Sequence, residues 1–422
     1  MSAADAPDDS GAAAGREGGR RPWRGRRVLL GVTGGIAAYK SIQLARDLAQ
    51  LGAIVDVVLT HSAKSFVGEL SFEALTGRPV HNDILAPGHA LDHIRLAREA
   101  DVICIAPATA DFMARAAHGR SDDLLTAILL ATRAPVLICP AMNDRMWSHT
   151  QTQLNAEHLR LLGYTLVGPA SGPLAFGEGE GPGRVEEPAV IIEHIARALS
   201  GDAAASSQTI VVTAGPTREA VDPVRVLTNR SSGKMGYAIA SAAWRRGFNV
   251  KLIAGPVDLH ATSGIEVTRV ETAAQMKDAV AAALPHAIAL VMAAAVADFR
   301  PRDPATAKIK KDRAAPSTID LEPTEDILRS TKELRAAGAV IVGFALETDD
   351  VIENGRRKLE QKDLDLVVIN SAREPGAGFE TDTNRVTLIG RDGAPQDVPL
   401  QSKADVAEVI VDRIVEMIRA AQ

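Results

Sequence analysis

The stretch 209–236 constrains the fold most, because an apolar run leads there into a long polar loop and then into an alanine-rich helical pattern. The run Thr209-Ile210-Val211-Val212 predicts a strand, and the residues from Lys234 onward predict a helix. A strand that feeds Ser231-Ser232-Gly233 at a helix start directs backbone N–H groups at a ligand above the sheet edge. The stretch therefore predicts a phosphate site, although a tight turn with a helix cap would explain Ser-Gly by itself.

Length and composition indicate two domains and argue against several classes of partner. The 422 residues are 46% hydrophobic, which is enough for a core in each domain. A net charge of −6 and 3% aromatic residues give neither a basic surface nor a stacking surface, so we expect no nucleic-acid partner. The longest charge-free stretch, 279–297, is interrupted by Pro285 and His286, so we expect no membrane span. Cys104 and Cys139 lie in apolar runs, which favours buried free thiols and a reducing cytoplasm.

The first half reads as a doubly wound α/β domain over residues 25–200, preceded by a disordered tail at 1–24. Apolar runs and helical periodicity alternate through it, and they predict a parallel sheet of five or six strands. The predicted strands are 28–33, 53–60, 101–105 and 135–139. The predicted helices are 36–51, 122–132, 150–162 and 188–199.

The second half reads as another parallel α/β domain, residues 209–422, after a polar linker at 201–208. A hairpin is expected at 385–400, turning at Asp392-Gly393, before a final amphipathic helix. The fold class is therefore α/β, with two doubly wound, Rossmann-like parallel-sheet domains. The predicted strands are 209–213, 249–254, 265–269, 287–292, 339–344 and 365–369, and helices are expected to begin near Lys234, Thr272, Glu325 and Asp349.

Polar residues follow several strands of the first domain, at the sheet edge where open α/β folds bind ligands. The segments are A-P-A-T-A-D (106–111) and P-A-M-N-D-R-M-W (140–147). Both resemble motifs of the flavin-dependent cysteine decarboxylases. The resemblance implies FMN as cofactor and Asn143 as the contact for the substrate carboxylate. The FMN neighbours that it implies are Gly34, Gly35, Thr60, Ala106 and Thr109.

His93 corresponds, through the same resemblance, to the catalytic histidine of these decarboxylases. A lone histidine is by itself more often a surface or capping residue, and the neighbouring motifs favour the catalytic reading. Loss of CO2 needs an electron sink, which oxidation of the thiol-bearing carbon by the flavin supplies. The family's acid cysteine falls at Phe176, which cannot donate a proton. Three alternatives remain: a substitute donor such as water, Glu178 or Glu180; a stalled cycle; or an inert domain.

The stretch 213–236 resembles the phosphopantothenate–cysteine ligase half of the bifunctional enzymes of bacterial coenzyme A biosynthesis. Activation of a carboxylate as a phosphoanhydride needs a nucleotide triphosphate and cations that hold it. Lys358 and Lys362 share one helix face, and Lys308, Lys310 and Lys311 lie on a loop. Such lysines are solvated more often than not, but the resemblance makes Lys358, Lys362 and Lys308 contacts of CTP.

The resemblance extends to the remaining residues of the ligase site. It makes Asn229 the stabiliser of an acyl-cytidylate and Lys308 the lysine needed when cysteine attacks. The turn at 324–327 keeps only Asp326-Ile327 of the family's N-P-D-I motif. The other nucleotide contacts that it implies are Met292, Ala293, Ala294, Asp298, Thr324, Glu325, Asp326, Ile327 and Phe344.

The resemblance implies a bifunctional cytoplasmic enzyme. It would join 4′-phosphopantothenate to cysteine with CTP and Mg²⁺, then decarboxylate the product to 4′-phosphopantetheine. The metal ligands stay unassigned, and small molecules are the expected partners of a homo-oligomer. A second class of function is an active ligase whose flavoprotein half, lacking the acid cysteine, serves as a scaffold for assembly or for a partner.

Overall fold

The computed structural model of the chain describes residues 22–84, 91–309, 318–347, 351–371, 381–391 and 393–421. The chain divides into two compact units, Met1–Ser200 and Gly201–Gln422. Each unit is built around one large sheet with helices on both faces. Within the described ranges, no helix has the length and apolar character needed to cross a membrane.

The first unit alternates strands and helices along the chain. Its strands are β1 (Arg27–Val32), β2 (Ile54–Leu59), β3 (Val80–His81), β4 (Val102–Ala108), β5 (Val136–Pro140), β6 (Thr165–Leu166), β7 (Ala170–Pro173) and β8 (Glu180–Arg184). Its helices are α1 (Tyr39–Gln50), α2 (Glu69–Thr76), α3 (Asp92–Glu99), α4 (Ala110–Ala117), α5 (Leu124–Ala131), α6 (Asp144–Ser148), α7 (Thr150–Leu161) and α8 (Pro188–Ser200). Short 3₁₀ turns lie at Ile36–Ala38 and His61–Ser65.

The main sheet of the first unit has the parallel order β3-β2-β1-β4-β5-β6. Every residue of β4 is buried, because α1 and α8 cover one face of the sheet while α4, α5 and α7 cover the other. The order reverses direction beside β1, which opens a crevice at the carboxyl ends of β1 and β4. The predicted doubly wound architecture is confirmed.

Two side-chain features of the first unit bear on the sequence predictions. Trp23, within the predicted tail, packs against the core, and its indole N–H donates to the carbonyl of Ile192 at 3.4 Å. Cys104 and Cys139 are fully buried free thiols on neighbouring strands, with their sulfur atoms 3.9 Å apart. Residues 1–21 lie outside the described ranges.

The second unit follows the same alternation. Its strands are β9 (Thr209–Ala214), β10 (Arg218–Ala220), β11 (Val226–Thr228), β12 (Asn249–Ala254), β13 (Glu266–Arg269), β14 (Ala289–Met292), β15 (Phe299–Pro301), β16 (Leu321–Pro323), β17 (Val340–Glu347), β18 (Leu366–Ser371), β19 (Thr383–Gly390) and β20 (Pro395–Ser402). Its helices are α9 (Lys234–Arg245), α10 (Ala273–Ala283), α11 (Ile327–Ser330), α12 (Val351–Gln361) and α13 (Lys403–Ala421). Its 3₁₀ turns are Ala203–Ser207, Leu284–His286 and Lys332–Leu334.

The main sheet of the second unit has the order β13-β12-β9-β14-β17-β18-β19-β20. Its first six strands are parallel, and the predicted late hairpin, β19 and β20, extends the sheet in antiparallel fashion. Helices α9 and α13 pack on one face, whereas α10, α11 and α12 pack on the other. Residues from the helices on both faces can therefore reach the carboxyl edge of β9, β14, β17 and β18.

Three predictions of detail differ from the structure. The predicted linker contains the 3₁₀ turn Ala203–Ser207, and Ala205 is buried in the core of the second unit. The long polar loop before α9 contains the hairpin β10–β11, whose short and largely exposed strands give little apolar signal. The helix expected near Glu325 begins at Ile327 and has only four residues. Asp392 of the predicted hairpin turn lies outside the described ranges.

Candidate functional site

The second unit has a cavity of about 510 Å³ at the carboxyl edge of its sheet. Strand ends β14, β17 and β18, the loop before α9, the turn before α11, and helix α12 all contribute to its wall. The sequence-predicted residues that line it are Asn229, Met292, Ala293, Ala294, Asp298, Thr324, Glu325, Asp326, Ile327, Phe344, Lys358 and Lys362.

Close packing brings the loop 231–236 onto the end of β9. A Cβ atom at Gly236 would lie 2.6 Å from Cβ of Ala214 and 2.8 Å from the carbonyl oxygen of Thr213. Gly233 has φ +75°, a left-handed conformation that favours glycine, and it precedes the first turn of α9. The glycines thus let the start of α9 approach the sheet edge, and Ser231 to Gly236 line the cavity.

Asn229 joins this loop to the segment after β14. Its side-chain N–H group donates to the carbonyls of Ala295 and Val296, at 3.1 Å each. Its amide is therefore oriented by two backbone acceptors at the cavity wall, while its carbonyl oxygen is not engaged in those bonds.

Two buried threonines, which the sequence reasoning did not single out, fix the same segment from below. The hydroxyl of Thr213 accepts the backbone N–H of Ala294 at 3.1 Å, and that of Thr217 accepts the N–H of Ala297 at 2.9 Å. Both residues are fully buried. Their signal in the sequence is weak, because threonine in a strand or turn is common. Thr213 thereby holds the backbone of Ala294, which the resemblance assigns to the nucleotide base, and Thr217 holds the backbone three residues further on.

Charged groups line the side of the cavity formed by α12 and the turn before α11. Lys362 pairs with Asp326 at 3.1 Å, and Asp326 also caps α11 by accepting the N–H of Arg329. Glu325 accepts a hydrogen bond from Lys277 at 2.9 Å, which raises the pKa of Lys277. Thr324 donates its hydroxyl to Ala297, so this turn is tied to the base-contact segment.

Lys308 is the one predicted ligase residue that is not part of the cavity wall. Its side chain is exposed, and the neighbouring residue Ile309 is bonded to Asp222 and Arg225 in the connection between β10 and β11. Lys310 and Lys311, which were expected on the same loop, lie outside the described ranges. The cavity also has polar side chains that were not predicted: Arg230, Lys234, Asn370, Asn384 and Lys403.

The first unit has a second cavity of about 510 Å³, between the turn after β1, the start of α4, the loop after β5 and the hairpin β7–β8. Gly34, Gly35, Thr109 and Asn143 line it, as the resemblance implied. Thr60 and Ala106 are buried nearby and do not line it. Thr60 caps the 3₁₀ turn His61–Ser65, and the carbonyl of Ala106 accepts the hydroxyl of Ser41 at 2.6 Å.

At two glycines that line the first-unit cavity, neighbouring atoms leave no room for a side chain. A Cβ atom at Gly34 would lie 2.3 Å from Cβ of Ser62, and one at Gly183 would lie 2.2 Å from the carbonyl oxygen of Met142. Thr109 caps α4 and Asn143 caps α6 through side-chain oxygen atoms. Backbone and small side chains thus form a shallow apolar cradle with few charged groups, a surface suited to a planar ring system.

His93 lies in the first turn of α3 and is half-buried. Its Nδ1 atom is buried and has no hydrogen-bond partner among the residues that the structure describes. His93 does not line the first-unit cavity, and residues 85–90 just before α3 fall outside the described ranges. His93 and Asn143 therefore do not line the same cavity.

The turn of the hairpin β7–β8 carries Phe176, the position where the family's acid cysteine falls. Phe176 is fully exposed at its turn and does not line the cavity, whereas Glu178 does. The turn is closed by the backbone N–H of Glu178, which donates to Ala175 at 2.9 Å. Glu180 begins β8 and is exposed outside the cavity wall. Among the acids considered for this segment, Glu178 alone is a wall residue.

No group of three or more His, Cys, Asp or Glu side chains that could hold a metal ion occurs in the described ranges. Carboxylates in the second-unit cavity are Asp298, Glu325 and Asp326. Mg²⁺ usually binds through one or two carboxylates together with substrate phosphates, so such a set fits a metal that arrives with a nucleotide.

Comparison with known families matches almost the entire chain. The family model described as "Flavoprotein" matches residues 19–200. The model described as "DNA/pantothenate metabolism flavoprotein C-terminal domain" matches residues 205–418. The two matches correspond to the two units of the fold.

Similar curated proteins match over the same length. The coenzyme A biosynthesis bifunctional protein CoaBC of Mycolicibacterium smegmatis is 46% identical over 411 residues, covering 94% of this chain and 98% of that protein. The protein of that name from Vibrio cholerae is 43% identical, covering 93% and 98%. A solved C-terminal domain of a protein with this name is 36% identical, with a TM-score of 0.44, and covers 52% of this chain and 100% of the domain.

Proposed function

Since the chain belongs to the family of coenzyme A biosynthesis bifunctional proteins, we propose that it converts 4′-phosphopantothenate to 4′-phosphopantetheine in two steps. The second unit joins the substrate to cysteine at the expense of CTP, through an acyl-cytidylate. The first unit then decarboxylates the product with FMN. We propose a cytoplasmic homo-oligomer that acts on small molecules.

One observation carries the ligase assignment. All of the implied nucleotide contacts except Lys308 line a single cavity, although they come from segments between residues 292 and 362. Residues that are unrelated in function and far apart in sequence would not be expected to meet at one sheet edge. Lys358 and Lys362 supply positive charge for phosphates. Thr213 fixes the backbone of Ala294 in the segment 292–294, which we assign to the base.

The proposed order of events follows from the charge in the second-unit cavity. The nucleotide binds with its phosphates near Lys358 and Lys362, and the carboxylate of 4′-phosphopantothenate attacks the α-phosphate, which expels pyrophosphate. Asn229 presents an amide at the wall, where it stabilises the acyl-cytidylate. The cysteine amine then attacks the acyl carbon and CMP leaves, with Lys308 close to this step.

Asp298 is the carboxylate that we assign to Mg²⁺. It lines the cavity and is exposed, and it forms no ion pair with any residue in the part of the chain that the structure describes. Glu325 and Asp326, in contrast, are paired with lysines. A metal held by Asp298 and by two phosphates would lower the charge repulsion in the nucleotide.

The first-unit cavity supports the decarboxylase assignment. Gly34, Gly35 and Thr109 would hold FMN against the cradle described above, and Asn143 would orient the substrate carboxylate. When bound, the flavin would supply the two-electron oxidation that makes loss of CO2 possible and would give the two electrons back afterwards, so that the overall reaction involves no net oxidation. His93 would manage the accompanying proton, and Glu178 would return a proton from the cavity wall in place of the acid cysteine.

Product analysis tests both activities. Purified protein with 4′-phosphopantothenate, cysteine, Mg²⁺ and CTP should release pyrophosphate and form 4′-phosphopantetheine, read by mass spectrometry. ATP in place of CTP measures the strictness of nucleotide choice. Absence of pyrophosphate release would refute the ligase assignment. Accumulation of 4′-phosphopantothenoylcysteine, with no CO2, would favour the scaffold role for the first unit.

A further inference from the structure

Arg335 connects two parts of the second-unit cavity wall from behind. Its side chain is 11% exposed and does not line the cavity. One terminal nitrogen of its guanidinium donates to the carbonyl of Asp363 at 2.9 Å. The other donates to the carbonyl of Leu328 at 2.9 Å and to that of Lys362 at 3.5 Å. Leu328 and Lys362 are both wall residues, so one buried cation joins α11 to the end of α12.

The end of α12 presents backbone carbonyls that no further helical turn can satisfy. Asp363 has φ +50°, a left-handed conformation that stops the helix, and the N–H of Leu364 returns to the carbonyl of Leu359 at 2.9 Å. Carbonyls at a helix C-terminus carry partial negative charge, so a guanidinium is favourable there. Because Arg335 holds the carbonyls of Lys362 and Asp363, it fixes the point at which α12 ends.

The carboxylate of Asp363 holds the same point from a second side. It pairs with Lys332 at 3.2 Å, with Arg335 at 3.6 Å and with Arg391 at 2.8 Å. Hydrogen bonds from Arg391 and Lys332 keep the pKa of Asp363 below its usual value. A left-handed conformation is uncommon for a residue with a side chain, and these three cations stabilise it at Asp363. The end of α12 is therefore held in one defined conformation.

On the cavity side, the same two parts of the wall meet through the ion pair of Lys362 and Asp326, at 3.1 Å. The two side chains are 35% and 38% exposed, and an ion pair so exposed contributes little to stability. Lys362 can therefore exchange Asp326 for a phosphate oxygen at small cost. The bonds of Arg335 go to backbone carbonyls behind the wall, so they do not have to break in this exchange.

We propose that Arg335 is a positioning residue of the nucleotide site, which sets the affinity for the phosphates of a nucleoside triphosphate by fixing Lys362 relative to the turn that carries Asp326. The proposal rests on the proposed ligase function. Arg335 itself does not touch the nucleotide. Without its bonds the end of α12 can shift, and the ammonium of Lys362 then has to be ordered when the nucleotide binds, which lowers the affinity.

The test measures nucleotide binding directly, by titration calorimetry of the full-length protein with CTP and Mg²⁺. Arg335→Met should raise the Kd for CTP about tenfold, because Lys362 loses much of its charge-assisted contact to phosphate. The KM for cysteine should stay unchanged. Arg335→Lys keeps the charge, but one ammonium cannot hold the carbonyls of both segments, so its Kd should be intermediate. Arg413→Met is the matched control, because that arginine of α13 pairs with Glu416 outside the cavity.

A double-mutant cycle separates positioning from general support of the unit. If Arg335 acts through Lys362, Arg335→Met should change the Kd for CTP less than about twofold in the Lys362→Met background. A further tenfold rise in the double variant would overturn the proposal. An unchanged Kd in Arg335→Met alone, or an equal rise in the KM for cysteine, would overturn it as well. If Arg335→Met does not fold, the same cycle is measured with Arg335→Lys. A wild-type protein that binds no CTP would instead refute the ligase function itself.

Discussion

Asp222 accepts the backbone N–H of Ile309 at 3.2 Å, although the two residues are 87 positions apart. The same carboxylate accepts the N–H groups of Val224 and Arg225, at 2.8 Å each, and its side chain is fully buried. Burial alone would raise the pKa of Asp222, but these three donors and the charge of Arg225 hold it below its usual value. One carboxylate thus ties the turn between β10 and β11 to the backbone beside Lys308.

Replacing Asp222 by Asn should make the segment around Lys308 more mobile, while nucleotide binding stays unchanged. The amide removes the charge and one acceptor, so the N–H of Ile309 loses its partner. We expect pyrophosphate release to continue while amide formation with cysteine falls about tenfold, measured in a single-turnover assay. Asp303→Asn, an exposed neighbour on the same segment, is the control. Equal loss of both steps would argue that Asp222 supports the unit in general.

Asn229→Asp should reduce ligation by at least about a hundredfold. The new carboxylate would face the carbonyls of Ala295 and Val296 in place of a donor, and it would put negative charge where the acyl phosphate forms. Asn249→Asp is a matched control, because that amide also donates to a backbone carbonyl but lies outside the cavity. Steady-state pyrophosphate release measures both variants, and normal turnover in Asn229→Asp would remove Asn229 from the mechanism.

Glu178→Gln should lower formation of 4′-phosphopantetheine from 4′-phosphopantothenoylcysteine by roughly 10²–10⁴-fold, the usual contribution of a general acid. Glu180→Gln and Phe176→Ala should have little effect, since neither side chain lines the cavity. Release of CO2 and formation of the reduced product are measured separately, because the acid acts after CO2 leaves. An unaffected Glu178→Gln would favour water as the donor.

Glu408→Ala should destabilise the second unit by about 3–5 kcal/mol. Glu408 is 4% exposed and pairs with Arg245 and Arg246, where α13 packs against α9. Its removal leaves the buried guanidinium of Arg245 without that carboxylate. Denaturant unfolding followed by circular dichroism measures the loss. Asp412→Ala, which removes the more exposed partner of Arg246, should cost about 1 kcal/mol or less.

Acidification should destabilise the first unit through His194. Burial lowers the pKa of His194 to about 4, with a further contribution from Arg197. Between about pH 6.5 and pH 4 the unfolded chain therefore binds a proton that the folded chain does not, so stability falls as pH falls. The upper bound is about 3 kcal/mol at 1.36 kcal/mol for each pH unit of separation. Melting temperatures from pH 7.5 to 4.5 should fall less steeply in His194→Gln than in the wild type.

The central strands of both sheets could be predicted from the sequence, because the signal for each lies within the strand itself. Strands such as β4 and β9 are covered on both faces, so they consist of continuous apolar runs that need no knowledge of the rest of the chain. The short strands β10, β11, β15 and β16 are largely exposed, and their residues resemble those of a loop. Their pairing depends on tertiary context.

The same division applies to the second-unit cavity. Motif resemblance found Asn229, Phe344 and Lys362, because they lie in recognisable strings of residues. Lys403 has no such string, since a lysine at the start of an amphipathic helix usually lies in solvent. Its helix α13 packs against α9, which is distant in sequence, so the burial of Lys403 depends on tertiary structure. Thr213 and Thr217 could not be predicted for a related reason. Their role depends on hydrogen bonds to the segment after β14, which is distant in sequence.

The rate at which the buried thiols of the first unit are alkylated reports how often that unit opens. Cys104 and Cys139 are the only cysteines of the chain, and both are inaccessible at the centre of one sheet. An alkylating reagent can reach them only when β4 and β5 separate from the helices that cover them. The second unit contains no cysteine, so the mass that the reagent adds reports opening of the first unit alone. Labelling with and without FMN would therefore measure how much the flavin slows that opening, in the intact protein.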